Sequence, residues 1–117
     1  MKDFIPYDLY LKLKEIGVKF NNNEYLYADG TLCKVNNFYN ISPYEYAPTI
    51  SDVLKLLRKE KKIFIDVRTS IDLNGNEHFS YYVINNGISV REGYTDFDWD
   101  WEDAALAGIE YVINNLI

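Results

Sequence analysis

Cys33 and His78 are each the sole residue of their type in the sequence, and they are the natural candidates for thiol–imidazole chemistry. Such a pair works only when the imidazole reaches the thiol. The strand patterns derived below put the two residues in different hairpins, and no motif links them. Cys33 therefore reads as a small buried hydrophobe and His78 as a turn residue, with no histidine–carboxylate arrangement to make it a general base. The six glycines form neither a phosphate-cradling loop nor a dinucleotide fingerprint. No cysteine–histidine cluster exists to hold zinc. The sequence thus predicts no enzyme, no cofactor and no metal.

The acidic run Asp96-Phe97-Asp98-Trp99-Asp100-Trp101-Glu102-Asp103 has the alternating aspartates that open a calcium loop. A loop of that kind needs glycine at its sixth position and a bidentate glutamate at its twelfth, where this chain has Trp101 and Ala107. The aspartates are better used at a helix N-terminus, where carboxylates accept from free N–H groups and oppose the macrodipole. Lys55, Arg58, Lys59, Lys61 and Lys62 gather at the far end of another helix, which the same dipole favours; a phosphate-binding patch is the alternative use of that cluster.

Around these residues the chain is organised on Lys62 to Tyr94, three consecutive antiparallel strands. Ile63, Ile65, Val67 and Ile71 recur at the two-residue period of a strand and face the core. Asn74-Gly75 suits a two-residue turn, which would pair Val67 with Tyr82 and Ile65 with Ile84. For the next turn, a three-residue loop Asn85-Asn86-Gly87 with Gly87 in the left-handed region pairs Ile84 with Ile88 and Tyr82 with Val90. A two-residue turn there would turn Arg91 toward the apolar side. With these registers the outer face carries Phe64, Asp66, Arg68, Phe79, Tyr81 and Arg91, and Tyr81 stands between two arginines.

Upstream, Pro6 to Ile16 reads as a helix with Gly17 as its cap. Glu24 to Val35 reads as a hairpin turned by Asp29-Gly30, with Tyr27 opposite Leu32 and Leu26 opposite Cys33. Asn36 to Pro48 reads as a long irregular loop whose tyrosines cover a sheet edge or, alternatively, seat a small ligand. Thr49 caps a second helix with Ile50, Val53, Leu54 and Leu57 on one stripe, and Asp100 or Asp98 caps a third that buries Ala105, Gly108, Ile109, Val112 and Leu116. The expected fold is α+β, a single domain over residues 1–117, with a mostly antiparallel sheet of about five strands and three helices in the order α-β-β-α-β-β-β-α.

Two stretches resemble a known group of proteins. Tyr46-Ala47-Pro48-Thr49 leads into a helix ending Leu56-Leu57-Arg58-Lys59-Glu60-Lys61. Trp101-Glu102-Asp103-Ala104-Ala105 runs on through Ile109-Glu110-Tyr111 to Leu116-Ile117. Both are similar in pattern to small uncharacterised proteins that recur in prophages and mobile elements of gut bacteria, although those carry tyrosine or phenylalanine where this chain has Ile50. The resemblance covers about a third of the chain and brings no catalytic residues.

A net charge of −6 opposes direct nucleic-acid binding, which needs a clustered basic surface to release counterions. The lone cysteine suits a reducing compartment, and no apolar run has the length of a membrane span, so the expectation is a cytoplasmic protein without membrane contact. The expected function is a noncatalytic accessory module that binds a protein partner or forms a homodimer through Phe64, Arg68, Phe79, Tyr81 and Arg91. The alternative is an acidic inhibitor that mimics nucleic acid, offering Asp96, Asp98, Asp100, Glu102 and Asp103 to a basic surface.

Overall fold

In a computed structural model, which describes residues 4–17, 25–28, 31–34, 44–94 and 100–117, the chain is α+β with three helices. Among the described residues, six strands form two three-stranded antiparallel sheets. The chain divides into two units, Met1–Asp52 and Val53–Ile117.

In the first unit, helix α1 (Tyr7–Glu15) begins after Pro6, whose fixed φ of −57° is preset for helix entry. It ends at Gly17, which adopts φ +87° and donates its N–H to the Lys14 carbonyl. Leu9 and Leu13 form its buried stripe. Tyr7 and Tyr10 pack against the buried pair Phe4 and Ala47. Strands β1 (Tyr25–Ala28) and β2 (Thr31–Lys34) pair in the expected register, Tyr27 with Leu32 and Leu26 with Cys33. The Asp29-Gly30 turn between them lies outside the described residues.

The expected long loop is corrected at its end. Tyr44–Tyr46 forms a third strand, β3, which pairs with β1 so that Leu26 lies opposite Tyr46. Prolines at 43 and 48 bracket this segment and hide it in the sequence, yet tyrosine has high strand propensity, and proline is tolerated at the start of a strand. This strand and the division into two sheets replace the expected sheet of about five strands. Helix α2 (Ile50–Lys61) starts as expected. Asp52 N–H donates to Thr49 Oγ1 at 3.0 Å and Thr49 N–H donates to Asp52 Oδ2 at 3.0 Å, a reciprocal cap.

The second unit is built on strands β4 (Ile63–Ile71), β5 (Glu77–Asn85) and β6 (Ile88–Tyr94), in that order across the sheet. Both of its turns differ from expectation. The first is a three-residue loop, Leu73-Asn74-Gly75. Asp72 N–H donates to the Asn76 carbonyl at 2.9 Å, Gly75 N–H donates to the Asp72 carbonyl at 3.0 Å, and Gly75 has φ +81°. The Asp72 carboxylate causes this: its Oδ1 accepts from the N–H groups of both Asn74 and Asn76, and so draws one more residue into the turn than Asn-Gly alone would take. The register slips by one residue. Val67 pairs with Tyr81 and Ile65 with Val83, so every side chain of β5 changes face.

The second turn is the two-residue one, Asn86-Gly87, with φ +53° and +83°, and it places Asn85 opposite Ile88. A bulge then absorbs the mismatch. Ile84 pairs with Ser89 but Val83 pairs with Arg91, which leaves Val90 as the extra residue. Arg91 therefore does face the apolar side, at its margin, with its guanidinium carbon 5.2 Å from the Tyr111 ring centroid.

Helix α3 (Trp101–Asn115) lies on this face. Asp100 is its cap: Asp103 N–H donates to Asp100 Oδ1 at 2.8 Å and Asp100 N–H donates to Asp103 Oδ2 at 3.1 Å. Ala104, Ala105, Gly108, Ile109, Val112 and Ile113 are buried, while Leu116, expected inside, is only half-buried at the C-cap. The helix comes close because Gly108 has no side chain. A Cβ there would sit 2.7 Å from Ile65 Cγ2 and 3.3 Å from Tyr81 Cδ2. On the other side of the Tyr81 ring lies its cross-strand neighbour Gly93, where any Cβ would overlap the ring. Tyr81, only 5% exposed, is thus held between two glycines.

Gly93→Ala should lower stability by about 2 kcal/mol through overpacking, and by less than half of that in a Tyr81→Leu background. A double-mutant cycle by denaturant unfolding checks this; equal costs in both backgrounds would break the link between ring and glycine. Gly87→Val, which puts a β-branched residue at positive φ, should cost on the order of 1–3 kcal/mol, and an unchanged melting temperature would contradict the turn assigned here.

Candidate functional site

The one-residue slip decides which side chains β5 presents outward. Tyr82 and Ile84 replace the expected Tyr81 and Phe79, and a polar ladder forms across the three strands. Arg68 Nε donates to Asp66 Oδ2 at 2.7 Å along β4. The Arg68 guanidinium carbon lies 4.1 Å from the centroid of the Tyr82 ring on β5. Tyr82 Oη then donates to Glu92 Oε1 at 3.0 Å on β6. The Asp66 hydrogen bond comes first among the influences that raise the Arg68 pKa above its ordinary value, with burial opposing it and attraction to Asp66 and Tyr82 adding to it. Phe64 stands beside the ladder at 40% exposure, on the same face as its cross-strand partner Ile84.

The five residues expected to form one interaction cluster are divided between two faces. Phe64 and Arg68 are on the outer face. Tyr81 is under α3, Phe79 is half-buried two residues before it on the same side of β5, and Arg91 reaches over Tyr111 on that side as well. Hydrogen bonding to Tyr81, then attraction to its oxygen, raises the Arg91 pKa, with desolvation opposing. The expected stacking of Tyr81 between two arginines is therefore corrected: Arg68 meets Tyr82, and Arg91 meets Tyr81 and Tyr111 from the other side of the sheet. Tyr82 and Glu92 were missed because the register was misassigned. The signal that finds them is Asp72 three residues before Gly75, an aspartate placed to organise a longer turn.

His78 also has a role the sequence reading denied it. Its Nε2 donates to Asp72 Oδ2 at 2.9 Å, a histidine–carboxylate pair that closes the β4–β5 hairpin end. The same carboxylate organises the turn through its other oxygen, so one aspartate sets both the loop and the pair. The His78 hydrogen bond, followed by those from Asn76 and Asn74, lowers the Asp72 pKa below the ordinary carboxylate value, with burial opposing. Of the acidic set, Asp100 and Asp103 are engaged with each other in the α3 cap, Glu102 is in the first helical turn, and Asp96 and Asp98 lie outside the described residues. Lys55, Arg58, Lys59, Lys61 and Lys62 are exposed along α2 and just past its end. Cys33 is in β2 opposite Leu26.

Among the described residues, no three histidine, cysteine or acidic side chains gather as metal ligands would, and no helix is long and apolar enough to cross a membrane. No protein-family model matches the chain, and neither the curated proteins nor the solved structures contain a match to it.

The Asp72 contribution has a defined pH dependence. Because the folded carboxylate has a lowered pKa, its stabilisation is present above the ordinary value near 3.8 and is lost as pH falls through the lower folded value. The melting-temperature advantage of wild type over Asp72→Asn should therefore narrow as pH is lowered through this range. A gap that stays constant down to pH about 2 would show that the carboxylate is not the linked group.

Proposed function

We propose that this chain is a small noncatalytic binding module that engages a protein partner through the outer face of β4, β5 and β6. The observation that carries the reading is the side-chain set on that face. Phe64 and Ile84 supply apolar area, and Arg68 and Tyr82 are the residue types that dominate binding energy when desolvated. They are also prearranged, because Asp66 holds the Arg68 guanidinium and Glu92 holds the Tyr82 hydroxyl. Fewer rotamers then freeze on binding, and that lowers the entropic cost of association.

The resemblance of the segments around Thr49 and Trp101 to prophage and mobile-element proteins supports an accessory role in such an element, acting in the cytoplasm. The −6 net charge supports a protein over nucleic acid as the direct partner. The pairing of Asp100 with Asp103 inside a helix cap favours the outer sheet face over the acidic run as the binding surface.

The test is affinity capture from the native host with wild type and with the Phe64→Ala, Tyr82→Ala double variant. A protein captured by wild type should bind the variant at least tenfold more weakly, the effect of losing about 1.4 kcal/mol or more of binding energy, while the variant keeps a cooperative melt. Equal capture by a folded variant would exclude this face.

A further inference from the structure

The edge of β4 that faces away from β5, which pairs with no strand among the described residues, has a self-complementary charge pattern, and we infer that it pairs antiparallel with β4 of a second copy, with Val67 opposite Val67 across a two-fold axis. This rests on the reading of the chain as a noncatalytic association module and names one partner for it.

The backbone determines which registers are possible. Asp72 N–H donates to the Asn76 carbonyl, and Asn86 N–H donates to the Lys62 carbonyl, so residues 62 and 72 turn their ladder groups toward β5. By the alternation of an antiparallel pair, the even residues between them do the same. The N–H and C=O groups of Ile63, Ile65, Val67, Thr69 and Ile71 therefore point away from β5. Among the described residues, β4 pairs with a strand on that one side only. A second β4 can form a ladder with it only where odd residues face odd residues.

Charge selects among these registers. With Val67 on the axis, Asp66 lies opposite Arg68 of the second copy, and Arg68 opposite Asp66 of the second copy. Sliding the pair by two residues one way sets Asp66 against Asp66, and the other way sets Arg68 against Arg68; both are repulsive. The Asp66–Arg68 bond along the strand already holds the two charges side by side at 2.7 Å, ready to close into a ring of four. In this register Ile71, 72% exposed in the single chain, lies opposite Ile63 of the second copy. The exposed ion pairs themselves contribute little affinity; the backbone ladder and the apolar pairs supply it, and the charges fix the register.

The two edges of the sheet also differ. β6 carries the bulge at Val90, a feature that discourages strand addition, whereas β4 pairs regularly over its nine residues.

Sedimentation equilibrium at roughly 0.1 mM chain tests the inference. Wild type should have twice the chain mass. Asp66→Arg alone, which sets arginine against arginine, and Arg68→Asp alone, which sets aspartate against aspartate, should each weaken dimerisation at least tenfold. An equimolar mixture of the two should restore the dimer, since one chain then carries arginine at both positions and the other aspartate at both, so that every facing pair is opposite in sign. Monomeric wild type, a dimer that survives either single substitution, or a mixture that stays monomeric overturns the proposal. A dimer that persists in the Phe64→Ala, Tyr82→Ala variant while partner capture is lost separates this edge from the outer-face site.

Discussion

The second unit depends on the space around one aromatic ring. Tyr81 fills the gap between β6 and α3 because Gly93 and Gly108 both lack a Cβ, and neither glycine is needed there for its φ. A buried aromatic of this size contributes roughly 1.5–3 kcal/mol by burial alone, a sizeable part of the roughly 5–15 kcal/mol that holds a typical domain folded. The close approach of α3 brings Ile65 against the helix backbone at Gly108. It also brings Tyr111 within reach of Arg91, so a charge that would be costly in the core ends at its margin over an aromatic face.

That arrangement on the inner face determines what the outer face offers. Side chains alternate along a strand, so placing Tyr81 and Val83 inside necessarily places Tyr82 and Ile84 outside, in line with Phe64, Asp66 and Arg68. The ladder from Asp66 and Arg68 through Tyr82 to Glu92 is a consequence of core packing as much as of surface chemistry. It ties three strands together by interactions that need no burial, and it presents aromatic and guanidinium groups in fixed positions.

Asp72 and the bulge at Val90 make these two faces compatible. Without the additional residue that Asp72 draws into the first turn, Tyr82 and Ile84 would face α3, and Tyr81 would have no place between the glycines. Without the bulge, the short Asn86-Gly87 turn would carry its own register unchanged to the end of β6, and Gly93 would not lie opposite Tyr81. A carboxylate at a surface turn and one extra residue in an edge strand thus set the composition of a core several residues away.

Local features of the sequence were enough to place the three described helices and to narrow the cap of the third to Asp98 or Asp100, because Pro6, Thr49, Asp100 and Gly17 act on backbone groups within a few residues of themselves. The β1–β2 register was legible for the same reason, since Asp29-Gly30 admits a simple count. The outward placement of Phe64 and Arg68 was legible too, as β4 alternates without interruption from Ile63. The rest was not settled by counting turn residues. Asn74-Gly75 and Asn86-Gly87 each permit a two- or three-residue turn. At the first, Asp72 is a local signal that the Asn-Gly count passes over, its carboxylate drawing a third residue into the loop. At the second, the short turn needs a bulge whose benefit appears only when Tyr81 finds Gly93 and α3 docks at Gly108. A strand's faces exchange with a single-residue shift, so Asp72 marks in the sequence which of Tyr81 and Tyr82 turns inward, and the tertiary structure decided that the Tyr81 ring has room there between two glycines.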